Sequence, residues 1–438
     1  MKIELIIKPR WIITVDASNR VLEQHAIVVD DGKIIAILPA QEAEQSYQAG
    51  QTVELRNHAL LPGFINAHTH AAMALMKGLA DDLPLMTWLE KHIWPAEARL
   101  VNVDYVYEGA QLAIAEMIRS GTTCFNDMYF FPEACLQAAD KAGIRAVLGR
   151  LMIDVPTAYA ADHEAYLQQG DALYQACQAY PLISTTLAPH APYTVSDEPL
   201  QALLTRAQQQ ATPLHMHVHE TAFEVEQATA QHGERPLARL KRLGLLDQSF
   251  MAVHMTQLEA AEIELLAQQN VNVVHCPESN LKLASGFCPV AKLQAAGVNV
   301  ALGTDGNASN NDLDMLGEMR TAALLGKAVA QDASALPAQE VLRMATINGA
   351  KALGLAEVTG SLEIGKAADM VAIDLGQLES QPLYDPVSHI VYGTTREQVT
   401  YVWVAGHRLL EERKLLTLDE AELLNKAHYW QSKIGEFS

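Results

Sequence analysis

Leu60-Leu61-Pro62-Gly63-Phe64-Ile65-Asn66-Ala67-His68-Thr69-His70 is the stretch whose reading decides the fold. An apolar run ends abruptly in His-x-His. Read as a strand, it puts His68 and His70 on one face, because side chains on extended backbone repeat every second residue. Two imidazoles on one face at a strand end can share a metal ion. A lone pair serves equally well as core or surface histidines. The rest of the chain must therefore supply a third nitrogen, a carboxylate and a base in similar places.

Seven more apolar runs follow, at Thr122–Met128, Arg145–Leu151, Ile183–His190, Pro213–Glu220, Phe250–Met255, Val271–Cys276 and Val298–Asp305. Their near-continuous apolar character suits parallel strands buried on both faces. Helical stretches separate them: Asp104–Ser120, Pro132–Ala142, Glu198–Gln210, Pro236–Arg242 and Leu258–Gln269. The fold class is therefore α/β. Eight strands with intervening helices fit a (β/α)8 TIM-like barrel better than an open doubly wound sheet. No GxGxxG follows any strand, so a dinucleotide fold has no support.

Both chain ends have a different texture. The N-terminal part reads as short strands at Ile3–Ile7, Trp11–Val15, Ala26–Val29 and Lys33–Leu38, with Asp30-Asp31-Gly32 as a hairpin turn. Gly360–Asp374 and Val399–Val404 return to short strands and turns. The two ends are expected to pair into one small β-sandwich. Residues 1–59 and 354–415 would form it, 60–353 the barrel, and 416–438 a closing helix. Thr417-Leu418-Asp419-Glu420 has the spacing of a capping box at the start of that helix.

Composition narrows the function. The chain has 438 residues, 49% of them hydrophobic, enough for a large core. Its 31 basic and 52 acidic residues give a formal charge of -21, which argues against nucleic acid or an anionic membrane as partner. Cys124, Cys135, Cys177, Cys276 and Cys288 are odd in number and contain no CxxC, so neither a disulfide framework nor a thiolate zinc site is expected. The N-terminus alternates like a strand and shows no signal-peptide region, and no apolar run is long enough to span a bilayer. A cytoplasmic protein is expected. Homo-oligomerisation is left open.

Barrel enzymes carry their chemistry at the C-terminal strand ends. Those ends hold His68 and His70, His190, the cluster His215, His217, His219 and Glu220, then His254, His275 and Asp305. Three histidines with one carboxylate make a site for a divalent ion with room for a water, zinc being the first choice. The fourth run has no Lys to bridge two metals, which favours one ion per chain. Such an ion lowers the pKa of a bound water toward neutrality. Glu220 can then shuttle protons, and Asp305 can both ligate and orient.

PGFINAHTH, HMHVHE, AVHMT, HCPESNLKLASG, GTDGNASNN and GSLEIGKAADMVAID together resemble the amidohydrolase superfamily. More closely, they resemble its methylthioadenosine/S-adenosylhomocysteine deaminase branch, over about residues 3 to 410. The resemblance implies His68, His70, His217 and Asp305 as metal ligands, Glu220 as proton shuttle and His254 as partner of the attacking hydroxide. It implies that Glu97 holds the ribose hydroxyls, that His190 contacts the purine, and that Arg150 lies near the substrate tail. His215 and His275 read as core or supporting residues, His219 as a packing or surface residue. The long stretch from Met73 to Arg99 is expected to form an apolar, Met-rich lid with Trp88 as a substrate wall. The function implied is a zinc-dependent aminohydrolase acting on a purine nucleoside, methylthioadenosine first, with S-adenosylhomocysteine or adenosine also in range. A guanine, pterin or triazine aminohydrolase or chlorohydrolase shares the metal set and is the rival. A barrel that has lost catalysis and serves assembly is the remote one.

Overall fold

The computed structural model describes residues 1–435. In it, the stretch Leu60–His70 is two strands. Gln48–Pro62 ends one, and Phe64–Thr69 begins the next. Leu60, Leu61 and Pro62 pair antiparallel with Ala372, Val371 and Met370, whereas Phe64 pairs parallel with Thr122. The run expected to be one barrel strand therefore serves two sheets, and three residues assigned to the barrel belong to the other. Gly63 makes the crossing. A Cβ there would lie 2.1 Å from the Thr123 side chain, so no larger residue fits without a shift. Its N–H donates to Asp369 O at 3.1 Å, and that of Phe64 to Gly121 O at 3.0 Å.

The barrel is an eight-stranded parallel sheet in sequential order. After Phe64–Thr69 come Thr122–Asp127, Arg145–Met152, Ile183–Pro189, Leu214–Val218, Phe250–His254, Asn272–His275 and Val300–Leu302. Each of these lies at or inside its expected run except the third, which extends one residue past Leu151 to Met152. The last strand stops at Leu302, and closure passes to the backbone just beyond it. Asp305 N–H donates to His68 O at 3.0 Å, joining the last strand end to the first. Gly303 permits this approach, since a Cβ there would lie 2.8 Å from His68 Cβ. The barrel thus closes at the end where the histidines sit.

The chain ends form a nine-stranded mixed sheet. The two strands expected near the N-terminus are one, Lys2–Ile13, with a register shift between Pro9 and Trp11. The hairpin turn is as read, with Asp31 at φ 49° and Gly32 at φ 70°. Alternation then sorts the side chains. Ile12, Leu60, Ala372 and Trp403 share an apolar cluster within the terminal sheet. Ile13, Leu61, Val371 and Val404 join the main core with the barrel. Burial of that second face holds the two sheets together.

The closing helix is Glu420–Gly435. The capping box expected from Thr417 does not form. Asp419 caps instead, its Oδ1 accepting from Ala421 and Glu422 N–H at 2.9 and 3.1 Å, while Thr417 Oγ1 donates to Ala142 O at 2.8 Å. Trp430 Nε1 donates to Glu108 Oε2 at 2.7 Å, docking this helix on Val103–Arg119. All five cysteines are free and buried. No helix among the described residues is long and apolar enough to cross a membrane.

Candidate active site

The strand ends bring four ligand-type atoms together. His68 Nε2 and His70 Nε2 each lie 3.2 Å from Asp305 Oδ1, and His217 Nε2 lies 3.2 Å from His68 Nε2. His254 joins from the next strand, its Nε2 3.8 Å from Glu220 Oε2. Ligand atoms of His68, His70 and Asp305 all fall within 4.8 Å of one another, as do those of His68, His217 and His254.

The surroundings aim these atoms. His70 Nδ1 donates to Met128 O at 2.6 Å and His217 Nδ1 to His190 O at 2.7 Å. A carbonyl only accepts, so each Nδ1 carries the proton and each Nε2 turns a lone pair inward. His68 Nδ1 pairs with His215 Nε2 at 2.9 Å, and His215 meets the Asn126 amide at 3.1 Å. Asp305 Oδ2 accepts from Ser279 and Ser309 hydroxyls at 2.7 and 2.8 Å, which leaves Oδ1 facing the imidazoles. Converging lone pairs with one carboxylate oxygen, each held from behind, fit a divalent cation. Asp305 at φ 62° and His254 at φ 76° hold left-handed backbone, a strain of roughly 1–3 kcal/mol each that the surrounding packing must overcome.

Charge follows the same logic. Burial lowers His68 to about 4 and His217 well below the ordinary range, so both are neutral imidazoles, as a ligand must be. Burial also works against protonated His70, but the Asp305 hydrogen bond and charge raise it to about 9. A proton there occupies the space a cation would take. Burial would raise Asp305, yet its hydrogen bonds to His68 and His70 hold it well below the usual carboxylate range. Burial raises Glu220, with His254 opposing.

A cavity of about 1150 Å³ opens over these groups. Trp88, Glu97, His190, Glu220, His254 and Asp305 all line it. Tyr129 OH donates to Glu97 Oε1 at 2.8 Å, and burial raises the Glu97 carboxyl to about 7. His190 Nδ1 pairs with Thr194 Oγ1 at 2.9 Å, and burial lowers its pKa to about 3. His190 is therefore a neutral ring beside His217, with centroids 4.9 Å apart.

The amidohydrolase family model matches residues 59–409. The chain belongs to the amidohydrolase family. It is 49% identical over 431 residues to a 5-methylthioadenosine/S-adenosylhomocysteine deaminase of Saccharophagus degradans, covering 98% of this chain and 97% of the relative. A 5'-deoxyadenosine deaminase of Methanosarcina mazei is 41% identical, with 97% and 96% covered. A crystal structure of an adenosine deaminase from Xanthomonas campestris with bound zinc superposes at a TM-score of 0.98, with 50% identity over 99% of both chains.

Against this amidohydrolase frame, one expected site residue is misplaced. Arg150 does not line the main cavity. Its neighbour Leu151 does, and alternation along the strand turns Arg150 outward against helices. There it is buried, near Asp171 at 3.5 Å and over the Tyr174 ring. The apolar cover also differs from the reading. Of the methionines between residues 73 and 99, only Met73 reaches the cavity. Leu85, Trp88, Leu89, Ile93 and Trp94 supply most of that wall.

His219 is neither surface nor filler. At φ 54° it is buried, its Nδ1 donating to Gln257 O at 3.1 Å and its Nε2 accepting from Leu237 N–H at 3.3 Å. His275 is buried as expected and stays off the cavity wall. Sequence reasoning missed the supporting groups. Asn280 Oδ1 accepts from His254 Nδ1 at 2.9 Å, and Glu224 accepts the N–H groups of His219 and Glu220 at 2.9 and 2.8 Å. Ser279 and Asn280 lie in HCPESN and Ser309 in GTDGNAS, motifs already singled out. Glu224 had one available signal, its place three residues after Thr221, which caps the helix Ala222–His232.

Proposed function

We propose that this chain is a metal-dependent aminohydrolase of adenosine-type nucleosides, converting the 6-amino purine to its inosine analogue and ammonia. One observation carries the reading. The histidine–aspartate cluster, Glu220 and His254 share a single cavity with Glu97, whose carboxyl is positioned by Tyr129. A purine nucleoside needs chemistry at one end and hydroxyl recognition at the other, and this cavity offers both.

His68, His70, His217 and Asp305 would hold one divalent ion, zinc as in the Xanthomonas campestris neighbour. Such an ion supplies Lewis-acid activation of water near neutral pH. The chain's own groups carry the rest. His254 Nε2, free because Nδ1 is committed to Asn280, accepts a proton from the attacking water. Glu220, its pKa raised by burial, gives a proton to the purine ring nitrogen. The water oxygen bonds to C6, the proton taken by His254 passes to the amino group, the C6–N bond breaks and ammonia leaves, while the remaining hydroxyl proton returns to Glu220 as the C6 carbonyl forms. His190 contacts the purine and Trp88 walls the site. Glu97 accepts from the ribose hydroxyls, a role useless to a substrate without ribose.

The decisive experiment is an ammonia-release screen of adenosine, methylthioadenosine, S-adenosylhomocysteine, guanine, cytosine and melamine, with metal analysis of the same preparation. Release from the nucleosides, with about one divalent ion per chain, is the expected result for a mononuclear site. Release from guanine or melamine alone would move the substrate to free heterocycles, and two tightly held ions would refute the coordination.

A further inference from the structure

The segment between Met76 and Asn102 covers the cavity. Leu85, Trp88, Ile93, Trp94 and Glu97 all project from it into the wall. Its far end is anchored, because Asn102 caps the helix Val103–Arg119 by accepting from Tyr105 N–H at 3.0 Å. Its near end is a loop with left-handed Gly78 at φ 70° and Asp82 at φ 63°. Nothing lies within 4 Å of where a Gly78 Cβ would sit, so packing does not hold the loop at that point.

Leu79, Ala80 and Leu83 pack against the core on either side of Asp81 and Asp82, and a polar link adds to that hold. Lys282 Nζ donates to Asp81 Oδ1 at 2.7 Å and to Asn311 Oδ1 at 2.5 Å, and Asn311 Nδ2 donates to Asp81 Oδ2 at 3.1 Å. Both partners of Asp81 sit on elements that orient reacting groups. Lys282 ends the helix Pro277–Lys282, whose Ser279 and Asn280 hold Asp305 and His254. Asn311 lies on the turn after Asp305, whose Ser309 also hydrogen-bonds Asp305.

We propose that Lys282 is a positioning residue. The Asp81–Lys282–Asn311 link latches the covering segment onto the rim formed by the helix Pro277–Lys282 and the turn after Asp305, so that the cover is held closed over the cavity before substrate arrives. This rests on the reading that the cavity binds a nucleoside. The ion pair is part-exposed, with side chains 20% and 36% accessible, so its loss alters closure without emptying a core.

The test uses zinc-loaded protein with methylthioadenosine. Lys282→Met and Asp81→Asn should each raise KM by about fivefold, the upper end for a part-exposed ion pair. Turnover and metal content should change little, because bound substrate closes the segment and neither variant touches a ligand. The double variant should raise KM no further than the worse single one, since both break one link. Unchanged KM in both singles would overturn the latch, as would a double variant whose effect is the product of the two. Falling turnover and metal content at constant KM would also overturn it, showing mere support of the site. An inactive wild type would instead sink the nucleoside reading and take the latch with it.

Discussion

At Glu220 two demands meet. Burial raises its pKa above the ordinary carboxyl value and so favours the protonated form, while His254 beside it favours the charged form. A group poised between states suits proton transfer. Glu220→Gln is therefore expected to keep its metal and lose at least about a hundredfold in turnover, the scale of general acid–base work. His217→Ala should lose both metal and activity. Metal analysis beside kcat separates the two roles, and near-normal turnover in Glu220→Gln would refute the shuttle. Glu97 has a pH signature of its own. Burial lifts its carboxyl to about 7, so below that pH it is protonated and loses acceptor capacity for the sugar. KM for methylthioadenosine should rise as pH falls through about 7, and Glu97→Gln should flatten that profile. The sign for stability is opposite. A carboxyl with a raised folded pKa contributes stability that is lost as pH rises through about 7. Glu97→Gln should thus raise the melting temperature in mildly alkaline buffer and leave it unchanged in acid.

Among the elements, the first barrel strand is the most constrained. Gly63 switches the chain between sheets, and Gly303 lets the last strand end meet His68. Both places need the missing Cβ for close approach. Gly63→Ala should destabilise by about 1–3 kcal/mol, the usual cost of overpacking, because Thr123 is hemmed in by the same core. Denaturant unfolding measures it, and an unchanged midpoint would mean that the strand crossing relaxes freely. The short helix Pro277–Lys282 matters for another reason. Its Ser279 and Asn280 fix Asp305 and His254, so two strand ends are aimed by one turn of helix between them.

Across the whole molecule, the two sheets are joined by burial and by one ion pair. Arg145 on the third barrel strand makes two hydrogen bonds to Asp369, at 2.9 and 3.2 Å, and Asp369 also accepts from Ala405 N–H at 2.7 Å. Both side chains are buried. Arg145→Leu would leave the Asp369 carboxylate uncompensated, a cost of about 3–5 kcal/mol. Pairing it with Asp369→Leu should recover part of that loss, read by denaturant unfolding. The charge pattern also bears on substrate choice. Arg150 lies outside the cavity. Arg239 is committed to Asp197 and to the carbonyls of Pro192 and Val195, and Arg242 to Glu234 and Asp197. A carboxylate tail finds no uncommitted arginine on this wall. Methylthioadenosine should therefore exceed S-adenosylhomocysteine in kcat/KM by about tenfold, or roughly 1.4 kcal/mol. Both constants from one preparation decide it, and a clear preference for the charged tail would mean that Arg239 or Arg242 exchanges its partner for the substrate.

Periodicity along the chain determined the barrel and put His68 and His70 on one face of its first strand, whereas the choice of His217 and Asp305 as their partners came from the motif resemblance. The barrel and that shared face follow from local chemistry. A strand alternates every second residue, and parallel strands buried on both faces are apolar throughout. Tertiary structure alone decided where Pro62 hands the chain from one sheet to the other, because Gly63 is demanded by Thr123, a neighbour from the next strand. It alone turned Arg150 outward, since the motif match fixed the strand but left open which face points into the barrel. It also supplied the supporting shell. Asn126, Ser279, Asn280 and Ser309 reach their histidine or carboxylate from 4 to 89 residues away in sequence. A hydrogen bond needs only proximity in space, and most of that proximity exists once the barrel has closed.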